Sequence, residues 1–526
     1  MLIYSNRIKV KKITYLLMFM AAFTCASTKL SAQLKKEMLQ YSISMPYPSS
    51  HYYHVECIIT NWKTDTLDLK MPQWMPGYYQ VMNYAEKVEN ISAIDSHSKK
   101  MILHKTDDHS WRLINGSHQY LKLSYDVKAD KQFVANSFLD STHAYIVPAG
   151  LFVYINNNIN TPVSVKIIPN KKWNNIATGL EAVPGKQYEF TAPDFDILYD
   201  CPILMGNLEE LPSFKVKGIE HRFIGYKMGS FDKAGFMSNL QKIVEAAVSI
   251  IGDIPYKRYT FIGIGPGRGG IEHLNNTTVS FDGNTLNSTA GMNKMMNFLA
   301  HEYFHHYNVK RIRPFELGPF DYDKGSRTNL LWVSEGLSVY YEYLIVKRAG
   351  LINKQSLFND FENNINAFEN DPGRSYQSLK QASYETWSDG PFGKQGASDD
   401  KSISYYDKGP VVGLLLDFRI RNATENKKSL DDVMRFLYWE YYKKLARGFT
   451  DAEFEQACET IAGISLNDVF EYVYTTRPLD YNHYLLYAGL KLDMQTGADN
   501  TKKHFLVPND IQDQSGAAIL SSWLGE

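Results

Sequence analysis

Cysteine is nearly absent from this chain: Cys25, Cys57, Cys201 and Cys458 are all there is in 526 residues. So few, so far apart, exclude a disulfide framework and read as small buried hydrophobes. Neither sign of charge dominates, with 56 Lys and Arg against 57 Asp and Glu, interspersed throughout. There is thus no basic stripe for nucleic acid and no acidic tail. Long apolar runs are missing as well, apart from Ile13 to Ala22 near the start, which is too short for a stable membrane span. Preceded by Arg7, Lys9, Lys11 and Lys12 and followed by Leu30-Ser31-Ala32, that run predicts a secretory signal peptide over residues 1–32. The expected cut is after Ala32, with a site near Ala26 as the alternative. Cys25 could suit a lipid anchor, but Ala22-Phe23-Thr24 is a poor lipobox. The expected product is an exported protein, periplasmic or extracellular, without a membrane span.

What is present is apolar and aromatic: 44% and 13% of the chain, enough for two or three domains with substantial cores. From Gln33 to about Gly206 the pattern has period two, as in Leu121, Leu123, Tyr125 and Val127 alternating with Lys122, Ser124 and Asp126. An all-β N-terminal domain is expected over 33–206. Its Trp74-Met75-Pro76-Gly77-Tyr78-Tyr79 segment is either a buried aromatic corner or a recognition loop. The texture then changes to mixed α/β over 207–350, with strands at His221 to Tyr226 and Tyr259 to Ile264 and an amphipathic helix at Phe236 to Ile251. Residues 351–490 read as helical, with a capping box at Thr450-Asp451-Ala452-Glu453 and Ser465 as a cap for the next helix. Asp371 to Ser402 is rich in Gly, Ser and Asp and aperiodic, which reads as a lid, a cleft wall or a disordered stretch, the cleft wall favoured because it runs directly into the next motif. Residues 491–526 are a tail.

The chemistry concentrates in His301-Glu302-Tyr303-Phe304-His305 and Trp332-Val333-Ser334-Glu335-Gly336. Met292 to Ala300 reads as a helix, and side chains four apart on a helix lie one above the other. His301 and His305 can therefore hold one zinc ion, with Glu302 beside it as general base and Glu335 as third ligand. Three protein ligands leave one position open, the mark of a catalytic rather than a structural ion. His306 points about 100° away from His305 and is a bystander.

Two further stretches can serve this centre. Ser404-Tyr405-Tyr406-Asp407-Lys408-Gly409 precedes an apolar helical stretch, Val411 to Phe418, and either tyrosine could donate to an oxyanion. Gly265 to His273 lies between two strands and is glycine-rich but lacks the Lys-Ser/Thr of a phosphate loop. Gly269 and Gly270 let backbone approach a ligand, an extended peptide could pair with the exposed edge, and Glu272 beside the metal could bind the ammonium of a peptide N-terminus.

These residues resemble the M61 family of zinc aminopeptidases, the glycyl aminopeptidases of the gluzincin group. The similarity is carried by His301 through Pro314, Trp332 to Gly336, Gly269 to His273, Trp74 to Tyr79 and Asp200-Cys201-Pro202-Ile203. It implies an α+β multidomain fold: an N-terminal β-sandwich-like domain, a thermolysin-like α/β catalytic domain and a C-terminal helical domain. It also implies His301, His305 and Glu335 as ligands of one zinc, Glu302 as base and acid, Tyr406 as the oxyanion donor and Glu272 as the amine anchor. Glu342 is either a support of the metal shell or a surface glutamate. The implied reaction is release of small N-terminal residues, Gly or Ala, from peptides. Many relatives continue into a PDZ domain, for which the residues after Asp493 are too few. Two other functions compete: an endopeptidase with the same zinc, and a non-catalytic exported protein braced by zinc.

Overall fold

The strand Tyr120–Lys128 buries Leu121, Leu123, Tyr125 and Val127 and turns its lysines outward, as its alternation predicts. It belongs to a seven-stranded sheet in which Leu39–Ser44 pairs parallel with Val163–Ile168 and antiparallel with Tyr52–Thr60. A five-stranded and a four-stranded sheet complete the β-rich N-terminal half, and Tyr41, Tyr125, Phe152 and Tyr199 fill the core between them. The structure is a computed structural model that describes residues 39–62, 64–114, 120–395, 400–496, 502–510 and 513–526. The expected signal peptide and its cut lie outside the described residues. No helix among those described is long and apolar enough to cross a membrane.

The second half is built on a six-stranded sheet. Ile219–Gly225, Arg258–Gly263 and Asn276–Val279 run parallel in it, and Gly270–Glu272 pairs antiparallel at its edge. Between the first two lies the helix Lys233–Ile251, which Asp232 caps by accepting from the Gly235 N–H and which ends at Gly252 in the left-handed region. Its apolar face, Phe236, Leu240, Ile243, Val244 and Ala247, covers the sheet. The helices Thr289–Phe304, Leu337–Arg348, Lys354–Glu369 and Tyr405–Ala423 continue the same core without interruption. The α+β class with a helical C-terminal part is what the sequence implied.

Several elements differ in detail. Asp371 to Ser402 contains the short helices Leu379–Tyr384 and Thr386–Asp389, the first closed by a Ser378/Gln381 capping box. Helices this short expose too few apolar positions for a period to be read. The Thr450/Glu453 capping box is present. Ser465 accepts from the N–H of Asn467, the first residue of the next helix, at 3.4 Å, although Leu466 holds the N-cap position and Ser465 Oγ also donates to Glu459 at 3.0 Å. Residues after Gly489 form a hairpin, Leu490–Thr496 with Lys502–Pro508, and a helix, Gln514–Leu524. That helix buries Trp523 against Phe361 and Phe418. The three described cysteines are free and buried.

Candidate metal centre and active site

Ser288 caps the helix Thr289–Phe304, whose last turn carries His301 and Glu302 and hands over to His305. The rings of His301 and His305 meet edge to face with their Nε2 atoms 2.8 Å apart. Glu335 closes the triangle: its Oε2 lies 3.6 Å from His301 Nε2 and 3.3 Å from His305 Nε2. Glu335 sits on a single π-helical turn, Trp332–Gly336, which runs directly into the helix Leu337–Arg348. Such turns rotate a side chain out of the ordinary helical register and recur at functional sites.

The other ring nitrogens show what the centre is for. His305 Nδ1 is 2.8 Å from the carbonyl of Asn308, and His301 Nδ1 is 2.8 Å from Glu342 Oε2. The Asn308 carbonyl is an acceptor, so His305 Nδ1 carries hydrogen and its Nε2 presents a lone pair, and the Glu342 carboxylate close to His301 Nδ1 favours the same tautomer there. Two lone pairs and a carboxylate oxygen at these distances repel one another unless a cation lies between them. A tetrahedral zinc with bonds of about 2.0–2.1 Å holds its ligands roughly 3.3 Å apart, and the three separations bracket that value. The donor set therefore fits the ion. Among the described residues, this is the one group of three His, Cys, Asp or Glu side chains with ligand atoms within 4.8 Å of one another.

Around this triangle stand the other expected residues. Burial pushes the Glu302 carboxyl up to about 7, against the pull of His301 and His305. Its Oε2 is 3.3 Å from Thr277 Oγ1, and a Cβ on Gly270 would fall 2.5 Å from its Oε1, so only glycine fits there. Tyr406 donates to Glu335 Oε2 at 2.8 Å, and burial followed by the Glu335 charge raises its phenol well above the usual range. Burial would also raise Glu335, but His305 and His301 outweigh it and hold the carboxylate ionised. Glu272 is 4% exposed, and its Oε1 has no hydrogen-bond partner. An unpaired buried carboxylate oxygen is costly, which marks it as waiting for a donor.

Residues 40–207 match the Peptidase M61 N-terminal domain and residues 294–412 match the M61 glycyl aminopeptidase domain. The chain belongs to the M61 peptidase family. An aminopeptidase N family protein from Idiomarina loihiensis superimposes on this M61 chain with a TM-score of 0.82 at 25% identity, over 87% of this chain and 80% of its own. An M1 zinc metallopeptidase from Deinococcus radiodurans shares the fold at a TM-score of 0.53 and 12% identity, over 84% and 94% of the two chains. A variant of that enzyme bound to a Tyr-Ser-Ala substrate gives 0.52 and 13%, over 84% and 94%. No curated protein matches the sequence significantly. Family, neighbours and the buried His2Glu group together make the protein a metallopeptidase.

Around the M61 site stand residues of the quoted stretches whose roles the motifs left unassigned or open. Asn308 is the most consequential: its side-chain amide lies 2.8 Å from the Val333 carbonyl, 3.1 Å from that of Ser334 and 3.0 Å from Ser338 Oγ. It thereby ties the chain leaving His305 to the turn bearing Glu335. The next residue, Val309, has φ of 134°, a strained conformation for a β-branched residue that costs about 1–3 kcal/mol and recurs at functional sites. Asp200, from the N-terminal half, accepts from Leu274 N at 2.6 Å, His273 Nδ1 at 3.1 Å and Lys310 Nζ at 2.7 Å. This joins the edge strand of Glu272 to the segment behind the metal helix. The Trp74–Tyr79 segment is both a buried corner and a wall of the site. Trp74 packs edge-on against Trp387, while a Cβ on Gly77 would fall 2.8 Å from Glu272 Oε2. Glu342 is a support of His301 and not a surface residue, and His306 is packed among Tyr256, Tyr303 and Tyr307. Gly269 has φ of 85°, which glycine alone adopts freely.

Proposed function

We propose that the protein is an exported zinc aminopeptidase that removes single small residues, Gly or Ala, from peptide N-termini. The observation that carries this is Glu272: a buried carboxylate with an unpaired oxygen, on an edge strand beside the metal triangle. A free ammonium supplies the missing donors and neutralises the charge. The backbone of Gly269 to Ile271 can pair with the first residues of an extended chain.

His301, His305 and Glu335 would hold the zinc, which would supply a Lewis acid for the scissile carbonyl and lower the pKa of water toward about 7. Glu302, aimed by Thr277 and backed by Gly270, takes the proton from the attacking water and returns it to the leaving amine as the C–N bond breaks. Tyr406, already donating beside the triangle, turns its hydroxyl to the oxyanion that develops in the transition state. Glu342 and Asn308 keep the two imidazoles oriented. Export follows from the Arg and Lys residues and apolar run of the leader, and the small-residue preference from the family alone.

The test is digestion of one Ala-led peptide, free and N-acetylated, followed by mass spectrometry. Loss of single residues from the free peptide alone is expected. Internal cleavage of the acetylated peptide would instead favour an endopeptidase, and no cleavage of either a non-catalytic protein braced by its metal.

A further inference from the structure

Phe392 is an aromatic residue held out into solvent, 62% exposed, yet its ring lies 5.3 Å from that of Tyr406. An exposed phenylalanine on a loop is ordinary when the loop is slack. This one is fixed. Gly390 and Gly393 both have positive φ, 75° and 62°, and Gly393 N donates to Gly390 O at 3.1 Å. A Cβ on Gly393 would fall 2.4 Å from the carbonyl oxygen of Ile403, one residue before the Ser404 that caps the helix of Tyr406. Ser402 Oγ donates to the Gly393 carbonyl, and Gln395 N to that of Asp389 at 2.9 Å. The turn is thus welded to the base of the helix that carries the oxyanion donor.

Direction along the cleft decides which part of a substrate meets this ring. The end at Glu272 is closed: Gly77 presses on its carboxylate, and Trp74 and Tyr79 behind it are buried. With the substrate amine at Glu272, which is buried, and the scissile carbonyl at Glu302 and Tyr406, the rest of the peptide leaves toward solvent, and Phe392 is the solvent-exposed ring in contact with Tyr406. We infer that Phe392 is a specificity-determining residue, the platform for an apolar or aromatic side chain on the second residue of the substrate, directly after the scissile bond. The inference rests on the aminopeptidase reading given above and adds a requirement on the leaving part of the peptide.

Its test compares Ala-Phe-Gly with Ala-Gly-Gly by free alanine released from the full zinc-loaded chain, in wild type, Phe392→Ala and Phe392→Leu. The readout is the ratio of the two kcat/KM values, which cancels general effects on Tyr406. Wild type should favour Ala-Phe-Gly by about tenfold, the scale of one well-packed aromatic contact. The ratio should approach one in Phe392→Ala and stay intermediate in Phe392→Leu, which also serves if the alanine variant folds poorly. A wild-type ratio near one overturns the inference. So does an equal fall on both peptides, which would make Phe392 only a buttress of Tyr406. Release of no alanine from either peptide by the wild type overturns the aminopeptidase reading as well.

Discussion

Gly336 and Gly409 touch across a helix crossing: a Cβ on either would come 2.7 Å from the Cα of the other. The first ends the π turn that bears Glu335, and the second lies one turn beyond Tyr406. This crossing is what brings the phenol within 2.8 Å of the metal-binding carboxylate. Gly409→Ala should therefore act at a distance, forcing the two segments apart at a cost of about 1–3 kcal/mol in stability. Its kcat should fall toward that of Tyr406→Phe, for which a loss of about 10²–10³ is expected. Melting curves and kcat on one Ala-led peptide check both, and an unchanged kcat in Gly409→Ala would show that the crossing does not set the phenol.

Glu272→Ala removes the group expected to read the free amine. KM for a free tripeptide should rise by at least tenfold, the scale of one charge-assisted hydrogen bond. Slow cleavage of an N-acetylated peptide, where the wild type shows any, should be unaffected. Parallel losses on both peptides would assign Glu272 to the architecture of the edge strand.

Asn308→Ala breaks the link between His305 and the Glu335 turn without touching a ligand atom. Metal affinity, read by competition with a chromogenic chelator, should drop by about 10–100-fold, as it does for outer-shell partners in other metal sites. Retained affinity with lowered melting temperature would mean that the side chain only braces the fold.

Glu453 offers a pH dependence away from the metal. Arg447 donates to both of its oxygens, at 2.9 and 2.6 Å, and Thr450 N–H to one, which holds the carboxyl down to about 2. A folded pKa below the unfolded one gives stability that is present above about 4.5 and lost as pH falls toward 2. The pair is about one-third exposed, and solvent screening leaves about 1 kcal/mol. Glu453→Gln should be less stable than wild type by that amount at pH 7, the gap closing below pH 4 in denaturant titrations; a constant gap would contradict the assignment.

Much of the centre was legible because helical spacing fixes it locally. His301, Glu302 and His305 lie on one stretch of helix, and Glu335 and Tyr406 stand in short motifs of their own. The contacts that set geometry were not, because they join distant segments through ordinary residue types. Asn308 reaches the Val333 carbonyl, Thr277 lies beside Glu302, and the Gly77 backbone closes on Glu272. Glycine had two meanings that sequence alone does not separate: Gly269 needs its left-handed φ, while Gly336, Gly409 and Gly270 are needed for lack of a side chain. The C-terminal hairpin and helix escaped notice because their anchor, Trp523, is a single aromatic in a stretch without strong periodicity.

The measurement closest to the central claim is a pair of assays on Glu302→Gln and wild type: bound zinc per chain, and release of alanine from one free tripeptide. The account predicts equal zinc in both and turnover lost by several orders of magnitude in the variant. Near-wild-type turnover in a zinc-loaded Glu302→Gln would contradict it.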